Sequence, residues 1–236
     1  MKISVIIPAY NEEKYLSKTL EAILTQDYTD FEVIVVDNAS TDRTSDIAKS
    51  FQKVKVLFEG NKGTMWACER GRKEATGEII VRMDADCLPG KDWLSKGSAF
   101  FKDDKTVGVS GPYDYYDAKK FFRYFSVHFQ KILYSLANAI IQSFKRGAVM
   151  IGGNSFMRAS TLAAMGGFDT SFTFWGDDTD TAKRLAKFGR IIFDSDLVIK
   201  GSARRMKKEG SFNLTMRYIF HFFKVIFRSN KKSSRN

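Results

Sequence analysis

Two cysteines, Cys68 and Cys87, and two histidines, His128 and His221, are all that the 236 residues contain of either type. That scarcity excludes a disulfide framework and a cysteine–histidine zinc site, and it fits a reducing, cytosolic setting. Proline numbers three while 44% of the residues are hydrophobic, which excludes a disordered chain. A chain of this length buries a substantial core and fits one large α/β domain or two small ones. Uncharged apolar runs are also short. The longest candidate, Ile132 to Phe144, covers 13 positions, includes Ser, Asn and Gln, and is bounded by Lys131 and Lys145. A bilayer span needs about 20. With a first strand expected from Ile3, neither a signal peptide nor a membrane-spanning segment is expected.

Acid is scarce in one half. After Ala118 there are 7 acidic side chains against 22 basic ones, a net of +15. Residues 1–118 hold 20 acidic and 16 basic side chains, a net of −4, within an overall charge of +11. Phenylalanine divides the same way, with 16 of its 21 copies after the split. An acidic front half is joined to a basic, aromatic back half.

The front half alternates strand and helix. Ile3–Ile7 is a continuous β-branched run ended by Pro8, which predicts a buried parallel strand. Asn11 is expected to cap a helix running through Leu16, Leu20, Ile23 and Leu24, with Glu12 and Glu13 in its first turn. Phe31–Val36 is the next strand, and Ser40, Thr41 and Asp42 open a helix through Ile47 and Phe51. Val54–Phe58 is a third strand, Trp66 to Ala75 a helix stopped by Gly77, and Glu78–Met83 a fourth strand. Repetition of this kind predicts an α/β fold, a mostly parallel sheet with helices on both faces. Three of these strands end in polar clusters: Ala9-Tyr10-Asn11-Glu12, Asp37-Asn38-Ala39-Ser40 and Asp84-Ala85-Asp86. Parallel strands bring those ends to one edge, where open α/β sheets bind their ligands.

The back half reads differently. Phe121, Phe125, Phe129, Ile132, Leu136 and Ile140 recur at spacings of 3 and 4, with Lys120, Arg123 and Lys131 on the other side. This predicts an amphipathic helix between Lys119 and Lys145. Phe156 to Met165 reads as a helix closed by Gly166-Gly167, and Asp177-Asp178-Thr179-Asp180 as a helix start. Phe212, Met216, Ile219, Phe220, Phe223 and Phe227 form a second apolar stripe, with Arg217, Lys224 and Arg228 on another face. The Lys231–Asn236 tail is polar and basic, and is expected to be disordered.

Each candidate site has a plainer alternative. Asp84 and Asp86, two apart on an extended chain, can face one oxygen-seeking cation such as Mg²⁺ or Mn²⁺, or one of them can cap the following turn. Asp37 and Asn38 can hydrogen-bond a base or ribose, or form an Asx turn. Asp177, Asp178 and Asp180 can serve chemistry, or simply offset a helix dipole. Arg204 and Arg205, with Lys207 and Lys208, can neutralise a pyrophosphate or an anionic surface, or form a solvated loop. Cys87 reads as a packing thiol. Trp66, Trp93 and Trp175 are core by default, with Trp175 set apart because it almost adjoins the acidic cluster.

In this order the motifs resemble an inverting GT-A-fold glycosyltransferase of family 2, from Ile3 to about Gly210. The resemblance rests on Pro8-Ala9-Tyr10-Asn11-Glu12-Glu13, Val35 to Asp42, Gly77-Glu78, Met83 to Asp86, Gly152-Gly153-Asn154-Ser155, Arg158, Gly166 to Asp169, Asp177 to Asp180 and Ser202 to Arg205. It implies that Pro8, Ala9, Tyr10 and Glu12 cradle a nucleotide and that Asp37, beside Asn38, reads its base or ribose. It also implies that Asp84, Ala85 and Asp86 form the DxD motif, whose two carboxylates hold a divalent cation on the diphosphate. Asp178 falls on the catalytic base and Asp177 beside it; Arg204 and Arg205 would face the diphosphate, and Gly153, Asn154 and Trp175 the acceptor. Three departures stand out: Asn38 replaces a common second Asp, Cys68-Glu69 replaces Arg-Asn, and Asp177 replaces Glu. With Cys68-Glu69 in place of Arg-Asn, a usual cationic contact is either lost or supplied by Lys62 or Arg70.

The expectation is therefore a metal-dependent inverting sugar transferase using Mn²⁺ or Mg²⁺. Its donor is a UDP-sugar ahead of a GDP-sugar, and its acceptor a lipid-linked or other envelope glycan, or a polyprenyl phosphate itself. Residues 1–210 form the catalytic domain, with a nucleotide half at 1–118 and an acceptor half at 119–210, and 211–236 a basic helix and tail. The two Phe-rich helices have the composition of segments lying on an anionic membrane, on the inner face of the cell membrane, although both stripes can instead pack on the protein's own core. The positive charge is read as a platform for a lipid-linked acceptor and not as a nucleic-acid surface. Two other classes stay open: a sugar-nucleotide nucleotidyltransferase, and a non-catalytic membrane-surface module. The first normally wants a glycine-rich, basic loop after the first strand, where Pro8 to Glu13 has neither.

Overall fold

Strand β1 (Ile3–Ala9) lies between two parallel neighbours, β2 (Phe31–Asp37) and β4 (Ile79–Met83), with β3 (Val54–Phe58) outside β2. Its unbroken apolar sequence reflects burial on both faces. Ile3, Val5 and Ile7 pack with Leu16 and Leu20 of helix α1 (Leu16–Ile23) and with Trp93. Ile6 joins Ile34, Val36 and Ile80 on the opposite face, against Met65 of α3 (Thr64–Glu74) and Leu185. The short helix α2 (Thr44–Lys49) follows β2, and α4 (Trp93–Ala99) carries Trp93.

Beyond β4 the sheet continues through β8 (Asn154–Arg158) and β6 (Thr106–Ser110) to β9 (Arg190–Phe193), seven strands in all among the described residues. β8 runs antiparallel to both neighbours and the other pairings are parallel. A small second sheet orders β5 (Leu88–Pro89), β10 (Ile199–Gly201) and β7 (Tyr113–Tyr115). β5 follows Asp86 and β10 precedes Arg204, so their pairing draws the basic back half onto the acidic strand end.

The computed structural model describes residues 1–143, 147–172 and 175–227, with the backbone alone at 211 and 212. Lys145, Arg228, the Lys231–Asn236 tail and the side chain of Phe212 lie outside the described residues. Two expectations are corrected. Asn11 does not cap a helix: it has φ +56°, its side chain turns to Thr41, and α1 begins five residues later at Leu16. The helix expected from Phe156 is strand β8, with the short α6 (Ala159–Ala164) only after it. A brief apolar run does not distinguish the two states, and here ladders on both sides decide for strand.

The first long helix is α5 (Lys120–Ser143), and of the two orientations left open its apolar stripe takes the outward one. Phe121 is 83% exposed and Ile132 72%, whereas Gln130 and Asn138 are buried. Helix α7 (Asp177–Leu185) packs Ala182 and Leu185 into the same cluster as Ile6 and Ile80, and is followed by α8 (Arg204–Glu209) and α9 (Ser211–Ile226). α9 buries Leu214, Val225 and Ile226, and Lys183 of α7 donates to the carbonyls of Val225 and Ile226 at 2.9 and 3.1 Å. Met216, Phe220 and Phe223 remain exposed. Among the described residues no helix is long and apolar enough to cross a membrane.

Candidate active site

The register of β1 and β2 sets Ala9 beside Asp37, and the loops that follow are laced together. Ser40 Oγ accepts the Asn11 N–H at 3.0 Å, Thr44 Oγ1 that of Glu12 at 2.7 Å, and Asn11 Oδ1 that of Thr41 at 2.8 Å. Asn11 and Ala39 both take the left-handed backbone region, at φ +56° and +57°. For Ala39, which has no polar side chain to compensate, that costs about 1–2 kcal/mol. Asp37 is buried and accepts the N–H of Ser40, three residues on, at 3.1 Å, which fixes the turn after β2. Asn38 is committed within the chain: its Nδ2 donates to the Glu59 and Asn61 carbonyls and its Oδ1 accepts the Gly63 N–H. It therefore shapes the loop carrying Lys62 and is not placed to read a base. Lys62 Nζ reaches over the exposed Tyr10 ring, 5.5 Å from its centroid. Pro8 and Ala9 end the strand beneath Tyr10.

The third strand end holds the acids. Asp86 Oδ2 lies 3.0 Å from Arg204 Nε, and the same guanidinium forks onto both carboxylate oxygens of Glu12 while stacking over the Tyr15 ring at 4.6 Å. Burial, reinforced by Asp84, pushes the Asp86 carboxyl up to about 7 even though Arg204 pulls it back. Glu12 and Asp86 thus share one guanidinium while Asp84 lies beside Asp86, and that surplus of negative charge suits a divalent cation. Ligand atoms of Asp84, Asp86 and Cys87 lie within 4.8 Å of one another. Two carboxylates provide the hard oxygen donors that Mg²⁺ and Mn²⁺ prefer. Burial raises the Cys87 thiol well above its ordinary value, so it stays protonated and donates to Tyr113 Oη at 3.4 Å. Ala85 points into the core, and its carbonyl accepts the Thr19 hydroxyl at 2.8 Å.

Two residues before Asp84, Arg82 interrupts an apolar strand. It is buried and paired at 2.7 Å with Asp177, which is also buried at the start of α7. A buried pair of this kind costs about 3–5 kcal/mol to break by removing one partner. The pair ties the first turn of α7 to the strand carrying Asp84. Asp178, next along, is half-buried and accepts the Thr179 N–H at 2.7 Å. Burial, then the neighbouring Asp177, pushes its carboxyl up to about 6, against the pull of Arg82. The two acids differ in setting: Asp177 is held by Arg82, and Asp178 is left with a raised proton affinity.

On the remaining side Gly153 lies against Asp84: a Cβ added there would sit 2.2 Å from Asp84 Oδ2. Asn154 does not join the site. It is fully buried, with Nδ2 donating to the Leu197 carbonyl at 2.8 Å and Oδ1 accepting from Trp93 Nε1 at 3.0 Å. Nor do the two arginines act as a pair, because Arg205 turns to Trp175 at 4.4 Å and to Glu209. Trp175 also stacks on His221 and meets the edge of Tyr218. Sequence reasoning missed Arg82, Tyr113, Tyr15 and Tyr218. Arg82 alone carried a readable signal, a charge inside an otherwise apolar strand.

The model of the family described as glycosyl transferase family 2 matches residues 4–166. A dolichyl N-acetyl-α-D-glucosaminyl phosphate 3-β-D-2,3-diacetamido-2,3-dideoxy-β-D-glucuronosyltransferase of Methanococcus voltae is 28% identical over 83% of this chain and 57% of its own. The structure of mannosyltransferase PcManGT from Pyrobaculum calidifontis, in complex with GDP-Man and Mn²⁺, superposes with a TM-score of 0.74 and 27% identity over 97% of this chain and 65% of that one. Staphylococcus aureus TarS 1–349 in complex with UDP-GlcNAc matches with a TM-score of 0.69 and 22% identity, over 86% of this chain and 58% of that one. The chain spans about half the length of the curated relatives it matches. The mostly parallel sheet with flanking helices is that of the GT-A glycosyltransferases among these neighbours.

Proposed function

The chain belongs to glycosyl transferase family 2, and on that premise we propose that it moves a sugar from a nucleotide diphosphate to an acceptor hydroxyl with inversion. The observation that carries the reading is the meeting of Glu12, Asp84, Asp86 and Arg204 at the carboxyl ends of parallel strands, with Asp178 tied to them through Arg82 and Asp177. Asp84 and Asp86 would hold Mn²⁺ or Mg²⁺, which supplies positive charge for the departing diphosphate. Arg204 adds a second positive charge beside that position. Asp178 accepts the proton of the acceptor hydroxyl, a contribution of about 10²–10⁴-fold, and its raised carboxyl suits a base working near neutral pH. With Asp177 held by Arg82, no second carboxylate serves as a nucleophile, so the displacement is single and the anomeric centre inverts. The Tyr10–Lys62 loops and Asp37 hold the nucleotide, and Gly153 with Trp175 borders the acceptor.

The donor is proposed as a UDP-sugar, with a GDP-sugar the alternative that the PcManGT complex supports. The acceptor is proposed as a lipid-linked glycan, consistent with the name of the Methanococcus voltae relative, or a polyprenyl phosphate itself. The outward apolar faces of α5 and α9, flanked by Arg217 and Lys224, support peripheral contact with an anionic membrane, on the inner face of the cell membrane. The test is incubation with UDP- and GDP-sugars, Mn²⁺ and a polyprenyl-phosphate-linked acceptor, reading the nucleotide diphosphate released and the product anomer by NMR. Release of UDP or GDP with an inverted product is expected. Retention would contradict the mechanism. In a parallel incubation with nucleoside triphosphate and sugar phosphate, consumption of both would replace it with nucleotidyl transfer.

A further inference from the structure

Tyr113 has no role in the reaction described so far, yet the fold builds a slot for it. Its ring is buried on β7, and two glycines form the walls. A Cβ on Gly153 would lie 2.0 Å from Tyr113 Oη, and one on Gly201 would lie 2.4 Å from the ring. The backbone is fixed as tightly. Gln130 of α5 accepts the Tyr113 N–H at 3.1 Å and donates to its carbonyl at 3.0 Å, while β10 pairs with the same residue. Held in this way, the hydroxyl donates to Asp84 Oδ2 at 3.0 Å and accepts the Cys87 thiol proton at 3.4 Å. Because Cys87 supplies a donor to the phenol oxygen, the phenol proton is directed to Asp84.

We propose that Tyr113 is a positioning residue for the cation site: it anchors one oxygen of Asp84 so that the other is presented to the metal beside Asp86. The proposal rests on the cation-site reading above. A hydrogen bond to a ligating carboxylate sets its rotamer, and loss of such outer partners costs about 10–100-fold in metal affinity. Gln130 extends the support to α5, so the helix with the exposed apolar face also braces the residue behind the metal ligand.

The test uses Mn²⁺ as the probe, with UDP and GDP each present in separate titrations, read by the loss of the free-ion electron paramagnetic resonance signal. Wild type, Asp86→Ala, Tyr113→Phe and Gln130→Met are compared, with thermal melts to establish folding. Asp86→Ala is expected to abolish binding, Tyr113→Phe to weaken it about 10–100-fold, and Gln130→Met to weaken it less. In turnover, excess Mn²⁺ should restore the kcat of Tyr113→Phe, which a general loss of structure would not allow. Wild-type and Asp86→Ala proteins that bind Mn²⁺ equally would overturn the cation site itself. Loss of Mn²⁺ from Asp86→Ala, with Tyr113→Phe retaining wild-type affinity to within about twofold, would overturn the role of Tyr113 alone. If Tyr113→Phe does not fold, unchanged Mn²⁺ affinity in Gln130→Met overturns it.

Discussion

Asp178 is asked to be ionised where burial and Asp177 favour its protonated form. Linkage then fixes the sign of two pH dependences. As a base it works when deprotonated, so kcat/KM is expected to rise through about pH 6 and level off above it. For stability the order reverses. A carboxyl that binds its proton more tightly when folded gives stabilisation that is present below the ordinary carboxylate range and lost as the pH rises through about 6. Asp178→Asn, neutral at every pH, is expected to abolish transfer while raising the melting temperature more at pH 8 than at pH 5. Equal shifts at the two pH values would contradict the assignment. At this scale Asp84, Asp86 and Asp178 were legible from position and motif, but their partners were not. Arg82 meets Asp177 across 95 positions of sequence and Arg204 meets Glu12 across 192, and no local pattern encodes such pairings. The same holds for Asn38, whose residue type suited a nucleotide contact until three internal hydrogen bonds accounted for its amide.

Helix α5 shows what periodicity can and cannot say. The spacing of Phe121, Phe125 and Phe129 located the helix, but a stripe does not reveal which side faces in. The other side carries amides that complete strand edges. Gln142 donates to the Ile191 carbonyl at 2.9 Å and accepts its N–H at 3.1 Å, and Asn138 accepts the Val149 N–H at 3.1 Å. Those backbone groups need partners more than the phenylalanines need cover, so the polar side docks. Gln142→Leu is expected to cost about 1–3 kcal/mol in urea denaturation, because it strands the Ile191 N–H, although Asn138 Nδ2 still reaches the Ile191 carbonyl at 3.2 Å. Phe125→Ser, on the exposed stripe, should stay within about 0.5 kcal/mol. A larger loss from Phe125→Ser would place the stripe in the core after all. Strand β8 failed for a related reason, since its pairing with β4 and β6 is non-local.

For the whole molecule, the charge asymmetry finds a structural counterpart. The acidic half supplies the strand ends, and the basic half reaches over them through β10 and Arg204. Exposed apolar faces on α5 and α9 point away from the sheet. If they rest on lipid, the protein should pellet with vesicles containing anionic lipid, less as salt is raised, and Ile132→Asp with Phe220→Asp should release it. Pelleting that ignores both changes would remove the membrane contact and leave the transfer chemistry intact. That chemistry depends on one joint event, the binding of a nucleotide diphosphate with a cation at Asp84 and Asp86. The most direct measurement is calorimetric titration of UDP- and GDP-sugars into wild type and Asp86→Ala, each with and without Mn²⁺. One donor is expected to bind wild type only when Mn²⁺ is present, and Asp86→Ala not at all. Binding of equal strength without Mn²⁺, or in Asp86→Ala, would contradict the account.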